Sequence, residues 1–176
     1  MGDTTGLTLN QKVLEFARGQ VDKQVGTGEC WDLAEDAVTK SGGESSKTLT
    51  GVKGKAFQSA DYKWGTEVKL DTAQPGDILQ FKDHEFTETT TRGNVWKDKT
   101  QTRGHHTAIV EKNWGDGRLT ILEQHVRPAN SNVVSKKVQR RDIFVKDGAT
   151  YTGDAGANIT IKTKGVVKAY RPQESQ

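Results

Sequence analysis

The sequence predicts an α+β fold in which N-terminal helices pack on an antiparallel sheet, and three observations carry that reading. Between Asn10 and Val38 apolar residues recur three and four positions apart, the period of a helix. From Asp77 onward they alternate with polar residues in short runs bounded by turns, the period of a strand. No repeat of about 20 to 50 residues breaks this order, and 176 residues suit one domain with a core of its own. The chain is read as a single domain over 1–176, with a flexible tail at 1–9 and a polar, threonine-rich insertion at 82–104.

In chain order, Asn10 is placed to cap a first helix running to about Gln24, with Val13, Leu14, Ala17 and Val21 on one face. Gly26, Thr27 and Gly28 break the chain. In the second helix Leu33, Ala34, Ala37 and Val38 form one apolar stripe opposite Asp32, Glu35, Asp36 and Thr39. Thr27 is an acceptable N-cap for this helix, and Gly42 and Gly43 end it. SGGESSKT reads as a loop, and Ala56 to Trp64 is open between a short helix and irregular packing. Glu67 to Leu70 suits a brief strand, after which Gln74, Pro75 and Gly76 turn into DILQF, the first core strand.

Lys82 to Gly104 reads either as an excursion from the core or as a twisted hairpin lying on the sheet, with Arg92, Gly93 and Asn94 at a hairpin tip. The clearest β signal follows: HTAIVEKN, a turn at Trp114 to Gly117, then RLTILEQHV. VVSKKV, DIFVKD, NITIKTK and VVKAYRP extend the sheet and end at Pro172.

Composition excludes several classes of function. Hydrophobic residues make up 32% and charged residues 28%, with a mean hydropathy of −0.77, so the surface is polar. No run approaches a membrane span, and MGDTTGLT has neither the basic residues nor the apolar stretch of a signal peptide. As written the chain reads as cytoplasmic, with export by another route as the alternative. The net charge of +3 is mild, and KKVQRR lacks interleaved aromatics, which fits a solvated edge or loop better than nucleic acid. The single cysteine forbids an intramolecular disulfide and a paired-cysteine zinc motif. A monomer without metal or cofactor is expected.

Cys30 falls in the first turn of the second helix, where unpaired N–H groups and the helix dipole favour a thiolate. Glu29 and Asp32 oppose that effect, so a base must come from elsewhere. The hairpin offers one. If its turn has a two- or four-residue loop, Asn113 faces Arg118, Val110 faces Ile121, Ala108 faces Glu123 and His106 faces His125. His106, Glu123 and His125 then share a face with apolar residues, whereas a three- or five-residue loop sends Glu123 and His125 away. An imidazole takes the thiol proton and a third polar group fixes its tautomer. Cys30, His106 and Glu123 or His125 supply these parts. The same four side chains are of types that suit zinc, but their spacing matches no zinc signature. His84 and His105 receive no role.

At these residues the chain resembles the papain-like peptidoglycan hydrolases of the CHAP and NlpC/P60 type. GECWDLAEDA looks like the cysteine helix of those families, PGDILQF like the strand before the insertion, HHTAIV like the histidine strand and ILEQHV like the strand with the orienting residue. The resemblance implies a cysteine helix on an antiparallel sheet or half-barrel, a thiol-dependent amidase or peptidase, and catalytic places for Cys30 and His106. It offers Glu123 (the CHAP-like glutamate) and His125 (the NlpC/P60-like histidine) as orienting residues. Gln24, six residues upstream, stands where papain-like enzymes keep an oxyanion-hole glutamine, and Trp31 and Trp96 are candidate substrate contacts. A peptide or peptidoglycan-like amide is the implied substrate. The alternative is a binding module on the same fold, using the 82–104 stretch as its recognition surface.

Overall fold

The computed structural model describes residues 6–53, 60–127 and 132–176. Among them, three α-helices come first: α1 (Leu9–Gly19), α2 (Cys30–Lys40) and α3 (Ser46–Thr50). Seven strands follow: β1 (Thr66–Val68), β2 (Ile78–Arg92), β3 (Val95–Asn113), β4 (Arg118–Glu123), β5 (Gln139–Phe144), β6 (Thr150–Thr152) and β7 (Asn158–Arg171). They form one antiparallel sheet in the order β1-β7-β2-β3-β4-β5, with β6 paired to β7. No helix among the described residues is long and apolar enough to cross a membrane.

Alternation sorts the sheet's side chains into two clusters. On one side Ile78, Ile109 and Leu122 pack against Val13, Leu14 and Ala17 of α1 and Leu33, Ala34, Ala37 and Val38 of α2. On the other, Leu79, Phe81, Ala108, Val110, Ile121 and Ile143 pack together. Each fully buried Leu, Ile or Val contributes about 1.5–3 kcal/mol, so both faces of the sheet are core.

The first helix is shorter than its apolar spacing suggests. Thr8, not Asn10, is the cap: its Oγ1 accepts from the N–H of Gln11, whose side chain accepts from the N–H of Thr8 at 2.8 Å. Asn10 spends its amide on Pro75 O and on Asp77 Oδ1 at 2.6 Å. The helix stops at Gly19, not near Gln24, because Val21 bridges to Val138 and Asp22 takes a φ of 65°. Residues 1–5 of the expected tail lie outside the described residues, as do 56–59 of the stretch left open between helix and irregular packing. Within that stretch Tyr62 and Trp64 are buried in the helix-side core.

The 82–104 stretch is continuous sheet. β2 and β3 remain paired from Ile78↔Ile109 to Arg92↔Val95, and β7 follows β2 along most of that length. The tip is a two-residue loop whose first position, Gly93, has a φ of 57°, the sign that a II′ turn requires there. Threonines favour strands, so the composition that suggests an excursion also suits a long ladder.

A kink crosses the three long strands. Asp83 on β2 has a φ of 50°, and the β2–β7 register shifts between Lys82 and Glu85. Gly165 on β7, with a φ of 81°, fills that gap, where an added Cβ would lie 2.0 Å from Asp83 O. On β3 the burial pattern reads buried at Arg103, exposed at Gly104 and His105, and buried again at His106. Phe81 and His84 are likewise both buried three residues apart on β2. Strict alternation would set such pairs on opposite faces.

The β3–β4 hairpin has a three-residue loop, with Trp114 N donating to Arg118 O at 3.1 Å. Near it Asn113 pairs with Leu119, one step from the expected register. A bulge at Glu111 then absorbs one residue, so Val110 does pair with Ile121 and Ile109 with Leu122. Glu111 is held by Arg18 (3.0 Å) and Arg140 (2.8 Å). The odd loop length is cancelled before the strand reaches His106. Of the later strand expectations, 133–138 supplies only isolated bridges, DIFVKD overlaps β5, and NITIKTK and VVKAYRP merge into β7.

Candidate active site

Cys30 is the first residue of α2 and is half-buried. Two side chains shape the loop before it. The Asp32 carboxylate turns back to accept from Thr27 N (2.8 Å), Thr27 Oγ1 (2.7 Å) and Glu29 N (3.2 Å). This fit depends on Gly26, whose φ is 56° and whose Cβ, if present, would lie 2.7 Å from Asp32 Cγ. Glu29 rather than Thr27 is therefore the N-cap residue.

From the sheet side, buried Gln124 donates to Val25 O (3.0 Å) and Glu29 O (2.6 Å), and its own oxygen accepts from Val25 N (3.1 Å). The carbonyl of a trans peptide points opposite to its N–H. With the Glu29 carbonyl fixed on Gln124, the N–H of Cys30 faces away from Gln124, and a first-turn N–H has no intrahelical acceptor.

His106 lies at the level of the kink and is buried. Its Nε2 is 2.9 Å from Glu123 Oε2, and the Cys30 thiol lies close enough to the ring to act on its titration. Glu123, the last residue of β4, is fully buried. Arg103 grips both of its oxygens, Nε to Oε2 at 2.9 Å and Nη2 to Oε1 at 2.7 Å. Burial alone would raise the Glu123 carboxyl, but the charges and hydrogen bonds of Arg103 and His106 outweigh it and hold it well below the usual carboxylate range. Burial would likewise depress the imidazole, yet the hydrogen bonds with Cys30 and Glu123 push His106 up to about 9. His106, Glu123 and Arg103 are thus joined by hydrogen bonds, with Cys30 beside the imidazole at their open end.

The structure thus brings Cys30, His106 and Glu123 together and leaves other sequence candidates elsewhere. His125 does not share the His106 site: the chain leaves β4 after Glu123, His125 takes a φ of 62°, and its Nδ1 is 2.8 Å from Glu29 Oε2. Gln24 is exposed and donates to Gly26 O at 3.2 Å, so its amide is engaged within the loop. Trp31 donates to Ser46 Oγ at 2.9 Å, and Ser46 in turn bonds buried Glu35 at 2.7 Å, an anchor between α2 and α3. Trp96 is 68% exposed near the hairpin tip, on the order of 30 Å along β3 from His106.

Three residues near the site escaped the sequence reading. Arg103 was hidden because strict alternation puts it on the opposite face from His106; only the kink reverses this. Gln124 lies beside the register-tracked Glu123, but its targets are in a loop about a hundred residues away, beyond any local pattern. Tyr62 sits with its ring 6.5 Å from Trp31 and 5.2 Å from His105, the neighbours of Cys30 and His106. Burial, and then the charge of Cys30, push its hydroxyl up. His84 is buried against Phe81 and Phe86, and burial together with the charge of Arg103 pushes it down to about 4. Among the described residues no group of three or more His, Cys, Asp or Glu is arranged to hold a metal ion.

The family described as AIM3/BBC1 Cysteine proteinase-fold domain matches residues 6–148. A relative in Debaryomyces hansenii, "Altered inheritance of mitochondria protein 3", is 31% identical over 181 aligned positions, covering 93% of this chain and 16% of that protein. The chain thus spans about a sixth of the length of the curated relative that it matches. No solved structure matches the chain.

Proposed function

We propose that this chain, which belongs to the AIM3/BBC1 cysteine proteinase-fold family, is a thiol-dependent hydrolase of amide bonds in peptides. The observation that carries the reading is the grouping of Cys30 with the hydrogen-bonded His106–Glu123 pair, the thiol half-buried and the two groups behind it buried. Cys30 Sγ attacks the amide carbonyl carbon while its proton passes to His106. The tetrahedral oxygen is stabilised by the N–H of Cys30 at the start of α2. The C–N bond then breaks, His106 returns the proton to the leaving amine, and a thioester on Cys30 remains. Water, activated by His106, hydrolyses that thioester and restores the thiol. Glu123 holds the imidazole tautomer and is itself positioned by Arg103.

Mass spectrometry tests this. The protein is incubated with a mixed peptide library, and new termini and Cys30 acyl adducts are sought, with Cys30→Ala as control. New termini and a mass addition on Cys30 in the parent protein alone are expected. Their absence while Cys30 still alkylates rapidly would overturn the assignment of amide hydrolysis.

Exposed Val95 and Trp96, 72% and 68% accessible at the far end of the β2–β3 ladder, favour a second reading as an interaction module. In that case Cys30→Ala leaves the biological role intact, and shortening the hairpin abolishes it.

A further inference from the structure

The far side of the Glu123 network opens on a cavity of about 580 Å³ whose lining includes Glu88, Lys99, Arg118, Arg140, Arg141 and Asp142. That volume suits a small ligand or a single side-chain group. Four cations meet two carboxylates there, and one cation and one carboxylate are already engaged by neighbouring side chains. Asp142 accepts from Thr120 Oγ1 at 2.6 Å, and Arg140 is engaged by Glu111.

The other three cations keep unspent donors. The Arg118 guanidinium stacks 4.1 Å from the Trp114 ring, and its buried Nε has no hydrogen-bond partner among the described residues. Arg141 Nε stays 3.9 Å from Glu123 Oε1, beyond hydrogen-bond length, because Arg103 already holds both oxygens of that carboxylate. Its Nη2 donates only to neutral Gln139. Lys99 has no acidic group within 4.0 Å among the described residues.

We propose that this cavity is a binding site for a phosphate group. A phosphate carries three terminal acceptor oxygens, one for each cation with unspent donors, and arginine forks recognise it bidentately. A carboxylate offers two oxygens, one fewer than the three cations with unspent donors. The inference does not depend on Cys30 chemistry, since binding is read directly.

The test is an NMR titration that follows the Nε–Hε signals of Arg118 and Arg141. Inorganic phosphate and phosphoserine are added separately, against sodium chloride at matched ionic strength. Saturable shifts with either phosphate probe, weakened about tenfold or more in Lys99→Gln and Arg141→Gln, are expected. Saturation with inorganic phosphate alone assigns a free ion, and tighter binding of phosphoserine assigns an ester. Shifts that chloride reproduces, that never saturate, or that Lys99→Gln leaves unchanged would overturn the site. Lys99 is exposed on a strand, so its variant keeps the fold.

Discussion

Arg103 holds both oxygens of Glu123, at 2.9 and 2.7 Å, inside a site where neither side chain is more than 4% exposed. The carboxylate that faces His106 is therefore fixed from behind, and Arg103 is a positioning residue. Arg103→Met leaves Glu123 buried without its cation, and urea unfolding should show a loss of about 3–5 kcal/mol. Arg103→Lys, which offers a charge without the fork, should recover only part of that loss and only part of the Cys30 alkylation rate.

His106 should titrate near 9, measured from its ring proton shifts by NMR. Its value lies above the ordinary 6.5, so its stabilisation is fully present below that ordinary value and is lost as pH rises through about 9. Glu123 is shifted the other way, and its contribution is lost as pH falls below the ordinary carboxylate range. Urea midpoints should therefore decline on both sides of neutrality. Cys30→Ala and Glu123→Gln should each bring the His106 midpoint down.

Gln124→Ala removes three hydrogen bonds to residues 25 and 29. Loss of about 2–4 kcal/mol is expected. The alkylation rate of Cys30 should fall as well, because the loop that aims its N–H is released; an unchanged rate would mean that α2 alone fixes Cys30.

Two glycines of the kink should behave oppositely. A Cβ at Gly165 meets Asp83 O at 2.0 Å, whereas one at Gly104 meets nothing within 4 Å. Gly165→Ala should cost more than about 2 kcal/mol, and Gly104→Ala less than about 0.5 kcal/mol. Thermal unfolding of the two variants compares them directly.

The α+β order and the place of Cys30 in the first turn of α2 were legible because apolar spacing reports burial directly. The pairing of Val110 with Ile121 was legible too, although for an incomplete reason. The three-residue loop should have moved it, and the Glu111 bulge, which alternation does not announce, moved it back. His125 was misplaced because a strand pattern cannot foresee a backbone turning to positive φ two residues after Glu123. Of the two readings of 82–104, the hairpin holds and the excursion does not, since a largely polar ladder looks like a loop when only hydrophobicity is counted. α3 is a single turn and a half, capped by the Ser45 hydroxyl, too short to show a helical period.

The most direct test of the Cys30–His106 pair is the rate of Cys30 carbamidomethylation by iodoacetamide at neutral pH, in the parent protein and in His106→Ala. Rapid labelling that slows about tenfold or more in the variant is the predicted result. Equal, slow labelling in both would mean that His106 does not activate the thiol and would contradict the account.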